Sequence, residues 1–155
     1  MTKPATVGPP LIGALLRVPW ESVREQMLAG LHERGFDDLH PAHLTVLQYP
    51  PPEDIRPLDL AVQRRTSKQA LNHLLGQLER LGYLSRRPDP DDRRHTRVDL
   101  TDRGRAAIDA IREIVREVEL EWESQLGRDR FAQLRTLLSE LASCSADARS
   151  SAPLR

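Results

Sequence analysis

The 155-residue sequence is poor in cysteine, with Cys144 its only one. That excludes an internal disulfide and leaves no CxxC pair for a zinc cluster. Uninterrupted apolar runs of about 18 residues are absent too, so no membrane-spanning helix is expected. The run "LIGALL" near the start is too short, and too poor in flanking positive charge, for a secretion signal. These absences point to the cytoplasm. No phosphate-cradling glycine loop is present, and no nucleophile stands beside a recognisable base motif, so the sequence does not read as an enzyme. Net charge is missing as well: 23 Lys and Arg balance 23 Asp and Glu.

That balance hides an uneven distribution. From Arg56 to Arg105 there are 12 Lys and Arg against 7 Asp and Glu, whereas the rest of the chain has 11 against 16. A basic middle between acidic flanks concentrates positive potential in one place, which suits a polyanionic partner. The charge is densest in residues 86–104, "RRPDPDDRRHTRVDLTDRG". Either this is a disordered charged linker or a charged hairpin built to touch something anionic.

Periodicity decides between the two. Residues 1–10, rich in proline, read as a flexible arm. Leu11, Leu15, Val18, Val23, Met27 and Leu31 then recur at helical spacing over about 11–34, with Pro19 predicting a kink or a break. Pro41 suits the first position of a helix "PAHLTVLQY", which "PPP" at 50–52 stops. Pro57 opens a short helix covering Leu58 to Gln63. Thr66 and Gln69 have capping-box spacing at the head of the next one. This next helix carries Leu71, Leu74, Leu75, Leu78 and Leu81 on one face, and Gln69, His73, Gly76 and Arg80 on the other, with Asn72 and Gln77 at the edges. Gly82 is placed to end it. A short helix, a tight turn and a second helix with a polar outer face make helix-turn-helix order. In His95–Leu100 the apolar and polar residues alternate with period two, and Tyr83–Arg87 supplies a second strand. A linker has no reason for that alternation, so the charged stretch is predicted to be a hairpin. Thr101 can cap a long helix with the stripe Ala107, Ile111, Ile114, Val115, Val118 and Trp122. After Gly127, a last amphipathic helix carries Phe131, Leu134, Leu138 and Leu141. Residues 143–155 read as a disordered tail.

This order, together with "LERLGYL", "DPDDRR" and "VDLTDRGR", resembles the MarR family of bacterial transcription regulators over roughly Leu11 to Ala142. The resemblance implies a mainly α fold with a small β-hairpin wing. A winged helix-turn-helix lobe would occupy about 39–100, with dimerisation helices at about 11–34 and 102–142. It also implies a homodimer on double-stranded DNA carrying an inverted-repeat operator, each subunit placing a recognition helix in a major groove and a wing along a minor groove. Asp92 and Arg94 match the family's Asp-x-Arg wing motif, in which the arginine enters the minor groove and the aspartate orients it; narrow minor grooves attract arginine most. Ser67, Lys68, Gln69, Asn72 and His73 fall on the recognition helix, where polar side chains reach base edges and phosphates. Arg64 and Arg65 in the turn, and Arg86, Arg87, Arg93 and Arg97 in the wing, suit phosphates. His73 and Gln77 stand where many members carry Arg or Lys, so the operator does not transfer from relatives. Family members often answer to small aromatic acids, and Arg17, Trp20, His43 and Tyr49 lie in segments that can line such a site, although core packing explains the aromatics as well.

Other constellations carry less. His40 and His43 are three apart, but without a carboxylate or thiolate cluster they read as capping and surface histidines, not metal ligands. No cofactor is implied. Cys144 has no resolving partner for a redox role. The reading is thus a dimeric DNA-binding repressor released by a small ligand; the alternative is a winged-helix protein–protein module without specific DNA binding.

Overall fold

A computed structural model describes residues 9–150, with side chains described to Cys144. Residues 1–8, most of the expected arm, and residues 151–155 lie outside the described residues. The chain divides after Val115 into two compact units, which are taken in turn.

The first unit opens with α1, Ile12–Glu33. It is one helix in spite of Pro19, so of the expected kink or break the break does not occur. Pro19 lacks an N–H for the carbonyl of Leu15, but Leu15 is exposed and water can take that acceptor. Only the second half of α1 is buried, through Val23, Met27, Gly30 and Leu31. Helix α2 is a single turn, Leu44–Leu47, shorter than the predicted Pro41–Tyr49. Gln48 is already extended (φ −71°, ψ 166°), two residues before the run of three prolines.

Helix α3, Pro57–Arg64, starts with proline in its first turn and ends at Arg65, which adopts the left-handed conformation (φ 51°). Thr66 donates its N–H back to Ala61 O at 3.1 Å. Thr66 therefore closes α3 through its backbone. The cap of α4, Lys68–Arg80, is Ser67, whose hydroxyl accepts from Ala70 N, one residue later than the capping-box spacing suggested. Leu71, Leu75 and Leu78 are buried, meeting Leu60, Ala61 and Val46 in the same core. Gly82 (φ 79°) turns the chain out of α4.

Strands β1, Leu84–Pro88, and β2, Thr96–Leu100, pair antiparallel from Leu84↔Leu100 to Pro88↔Thr96. Val98 and Leu100 are buried on β2 while Arg97 and Asp99 are not. Burying such side chains contributes about 1.5–3 kcal/mol each, which anchors the hairpin. Ile55 adds a one-residue bridge to Val98, so the 53–56 segment flanks the wing as a partial third strand.

Helix α5, Asp102–Leu126, is capped by Thr101, which accepts from Gly104 N at 3.0 Å and donates to Gly82 O at 2.6 Å. A β-carbon on Gly104 would stand 2.0 Å from the carbonyl oxygen of Tyr83, so only glycine permits this approach. Ala107, Ile108, Ala110, Ile111 and Ile114 are buried, and Ile114 lies against the bare backbone of Gly30 in α1.

The second unit holds the end of α5 and α6, Arg128–Ser150, joined through Gly127 (φ 83°). Val118 and Phe131 are buried, and Arg135 pairs with Glu119 at 2.8 Å. Leu138 and Leu141 of the expected α6 stripe are exposed, as is the neighbouring Leu137. Helix α6 continues through 143–150, where the sequence predicts a disordered tail.

Candidate nucleic-acid interface

The wing tip is built around a carboxylate that the sequence pattern did not single out. Asp89 is fully buried. Its Oδ1 accepts from Asp91 N at 3.0 Å and its Oδ2 from Arg56 Nε at 2.6 Å. Arg97 Nε stands 3.2 Å away as an ion-pair partner. The Asp91 N–H and then the Arg56 guanidinium hold the carboxyl at about 2, against the effect of burial. A buried charge is tolerable only when paired this way. Asp89 N also bonds His95 O, and His95 N bonds Asp92 O, both at 2.9 Å, which closes the tip.

On that support Asp92 and Arg94 form a fork. Arg94 donates Nε to Asp92 Oδ1 (3.0 Å) and Nη2 to Oδ2 (2.9 Å), and the Arg94 N–H adds a third bond to Oδ1. These bonds hold the Asp92 carboxyl below its ordinary value and raise Arg94. The Arg94 side chain is nevertheless 87% exposed, so the aspartate orients a charge that still faces solvent.

Arg94 borders a groove of about 410 Å³ between the wing and the N-terminal ends of α3 and α4. Arg56, Lys68, Asn72, Arg86 and His95 line it with Arg94. Four of these, Lys68, Asn72, Arg86 and Arg94, were site candidates from the sequence. Arg56 and His95 were not. Arg56 and Asp89 are 33 positions apart, and no local pattern links them.

The remaining candidates separate into exposed and committed groups. Arg65, Ser67, Gln69, His73 and Arg93 are exposed. Arg86 pairs with Glu79 at 2.9 Å. Arg87 is tied to Asp99 and Asp54, and Arg97 to Asp54, Asp89 and Asp91. These two arginines cross-link the wing to the 53–56 segment. Arg64 is a correction. It is buried at 8% exposure, and its Nη2 donates to Val46 O, Gln48 O and Pro50 O. Burial lowers its pKa. Its charge is spent on the carbonyls of the loop after α2, so it staples α3 to that loop and is withdrawn from any phosphate.

The four proposed ligand residues are not brought together. Trp20 lines a crevice with Arg24, Met27, Leu44, Gln48 and Ile111. Arg17 instead pairs with Glu21 on the surface, Tyr49 is 87% exposed, and His43 is buried with its ring bonded toward Gln77. The crevice holds about 10 Å³, roughly one water. Arg24, its one charged wall, donates to Pro41 O at 2.9 Å.

A helix-turn-helix followed by a hairpin with an exposed arginine at its tip defines a winged helix-turn-helix domain. Residues 37–95 match the family model described as the MarR family. Sequence comparison with curated proteins finds no match. Among solved structures, one titled as the crystal structure of MarR is similar with a TM-score of 0.77 at 23% identity, over 98% of this chain and 100% of that one. The transcriptional repressor CouR, bound to a 23-mer DNA duplex, gives 0.67 at 26% identity over 85% and 92%. The transcriptional regulator Tm0710 from Thermotoga maritima gives 0.62 at 26% over 91% and 98%. Residues 37–95 thus resemble the MarR family, and the fold of the chain is similar to that of the solved MarR structure. Among the described residues, no helix is long and apolar enough to cross a membrane.

Proposed function

We propose that this protein is a homodimeric transcriptional regulator that binds an inverted-repeat site in double-stranded DNA. The groove between the wing and α4 carries the reading: cationic Arg56, Lys68, Arg86 and Arg94 converge there beside Asn72. Phosphates supply most of the affinity of such contacts, and base edges supply the preference. The DNA-bound state of the similar repressor CouR supports the same reading.

Two apolar surfaces exposed among the described residues support a dimer. Leu11, at the N-cap of α1, and Ile12, Leu15, Leu16, Val18 and Trp20 on its first half are exposed, and Leu137, Leu138 and Leu141 are exposed on α6. Exposed apolar surface of this extent is expected to be covered by a partner, and a two-fold axis covers both copies alike. Repression relieved by a small aromatic ligand is the regulatory half of the proposal. The crevice beside Trp20 supports it through apolar walls and one cation, Arg24, and a ligand must open those walls to enter.

Footprinting and mobility shift on DNA upstream of its own or a neighbouring gene test the proposal. Two protected half-sites about one helical turn apart are expected, with affinity falling steeply as salt rises. Arg94→Ala should weaken binding while leaving melting temperature and mass in solution nearly unchanged, because among the described residues the Arg94 side chain bonds only Asp92. Parent-like binding by Arg94→Ala, or binding indifferent to sequence and salt, would sink the reading.

A further inference from the structure

A polar chain runs from α2 to the outer face of α4. The His40 N–H donates to Nδ1 of His43 at 3.2 Å. His43 Nε2 lies 3.0 Å from Gln77 Oε1, and Gln77 Nε2 lies 3.1 Å from His73 Nε2. His43 is 2% exposed, whereas His73 is exposed on α4.

The backbone N–H of His40 is the one member whose polarity cannot change. A ring nitrogen that accepts a hydrogen bond carries no proton, so neutral His43 holds its proton on Nε2. That proton goes to Gln77 Oε1, which settles the orientation of the amide. The amide NH₂ then faces His73 Nε2, which must accept. The proton of neutral His73 is left on Nδ1, the ring nitrogen with no protein partner among the described residues. Reversing His73 would require Gln77 to turn its NH₂ toward the Nε2–H of His43. His43 cannot yield without abandoning the His40 N–H at a ring that is itself buried, and an unmade buried hydrogen bond is costly.

We infer that His73 reads DNA as a fixed hydrogen-bond donor through Nδ1, its polarity set from inside the protein by His43 and Gln77. The inference rests on the reading of α4 as the helix that meets DNA. An unconstrained histidine can donate or accept. A fixed donor selects base edges that accept in the major groove, such as guanine N7 and O6 or thymine O4, and rejects the amino group of cytosine.

Two measurements on the full-length protein test the two halves separately. Long-range ¹H–¹⁵N NMR of histidine-labelled protein at about pH 8, where an ordinary imidazole is neutral, should show an Nδ1–H tautomer for His73 and Nε2–H for His43. Gln77→Leu should turn His73 into a mixture. Gln77→Glu, whose carboxylate accepts from both rings, should drive His73 to Nε2–H. An Nε2–H tautomer for His73 in the parent, or a pure Nδ1–H tautomer retained in Gln77→Leu, overturns the relay. Selection from randomised duplexes should then show one base pair per half-site that requires an acceptor. His73→Ala should lose roughly 5- to 150-fold discrimination at that pair, and Gln77→Leu should broaden it. Expected tautomers with a selected site unchanged in His73→Ala would overturn the base contact alone. Failure of the parent to select any duplex would overturn the DNA-binding reading itself.

Discussion

Replacing Gly104 by alanine should be among the most damaging single-methyl changes in this protein. The added β-carbon would stand 2.0 Å from Tyr83 O, 3.1 Å from Tyr83 C and 3.0 Å from Leu100 Cδ2. Carbon–oxygen contacts settle well above 3 Å, so the head of α5 and the backbone at Tyr83 must part by roughly 1 Å. Three hydrogen bonds hold that junction: Thr101 N to Tyr83 O at 3.0 Å, Thr101 Oγ1 to Gly82 O at 2.6 Å, and Arg103 Nη1 to Leu81 O at 2.6 Å. At about 0.5–1.5 kcal/mol each, their weakening and the overpacking strain of about 1–3 kcal/mol outweigh alanine's helix-propensity gain of about 1 kcal/mol. The net loss should be about 3 kcal/mol, or roughly 6–12 °C in melting temperature for a chain of this size. Gly76→Ala is the paired control, since nothing lies within 4 Å of its β-carbon position in mid-α4. It should gain about 0.5–1 kcal/mol. Denaturant and thermal melts of both variants read the difference. A Gly104→Ala protein as stable as Gly76→Ala would refute the reasoning.

The buried and exposed arginines of the turn should part in a salt titration of DNA binding. Arg65→Ala should reduce the slope of log affinity against log salt by about 1, whereas Arg64→Met should leave the slope alone and lower stability by about 3 kcal/mol through its lost carbonyl partners. Asp89→Asn should destabilise the protein near neutral pH by leaving Arg56 and Arg97 without their shared counter-charge. Because the folded carboxyl titrates at about 2, below its ordinary 3.8, its contribution is present above about pH 4 and fades as pH falls toward 2; melting curves of parent and variant should converge over that window. Light scattering of dilute protein should give a mass near twice the 17.6 kDa chain, and a stable monomer would contradict the dimer.

Local chemistry made much of this molecule legible beforehand. The leucine spacing of α4, Pro57 at the head of α3, Gly82 after α4, and the alternation at Thr96–Leu100 each depend on a few neighbouring residues, as does Arg94 two positions from the aspartate that orients it. The sequence alone therefore determined the helix-turn-helix and the hairpin after it, while the Asp92–Arg94 fork was expected from the family resemblance. It erred where a distant partner decided the outcome. Arg64 and Arg65 are adjacent and chemically alike, yet carbonyls 14–18 positions upstream bury one and a left-handed turn exposes the other. Nothing local marks Asp89; Arg56 and Arg97 meet it only across the folded wing. His43 looked like a ligand contact until Gln77, 34 positions away, bonded its ring. Periodicity and capping are set by the chain's immediate geometry and are written in sequence order. Whether a charge is spent inside the protein or kept for a partner depends on which side chains and carbonyls the fold brings within hydrogen-bond reach, and only the tertiary structure decides that.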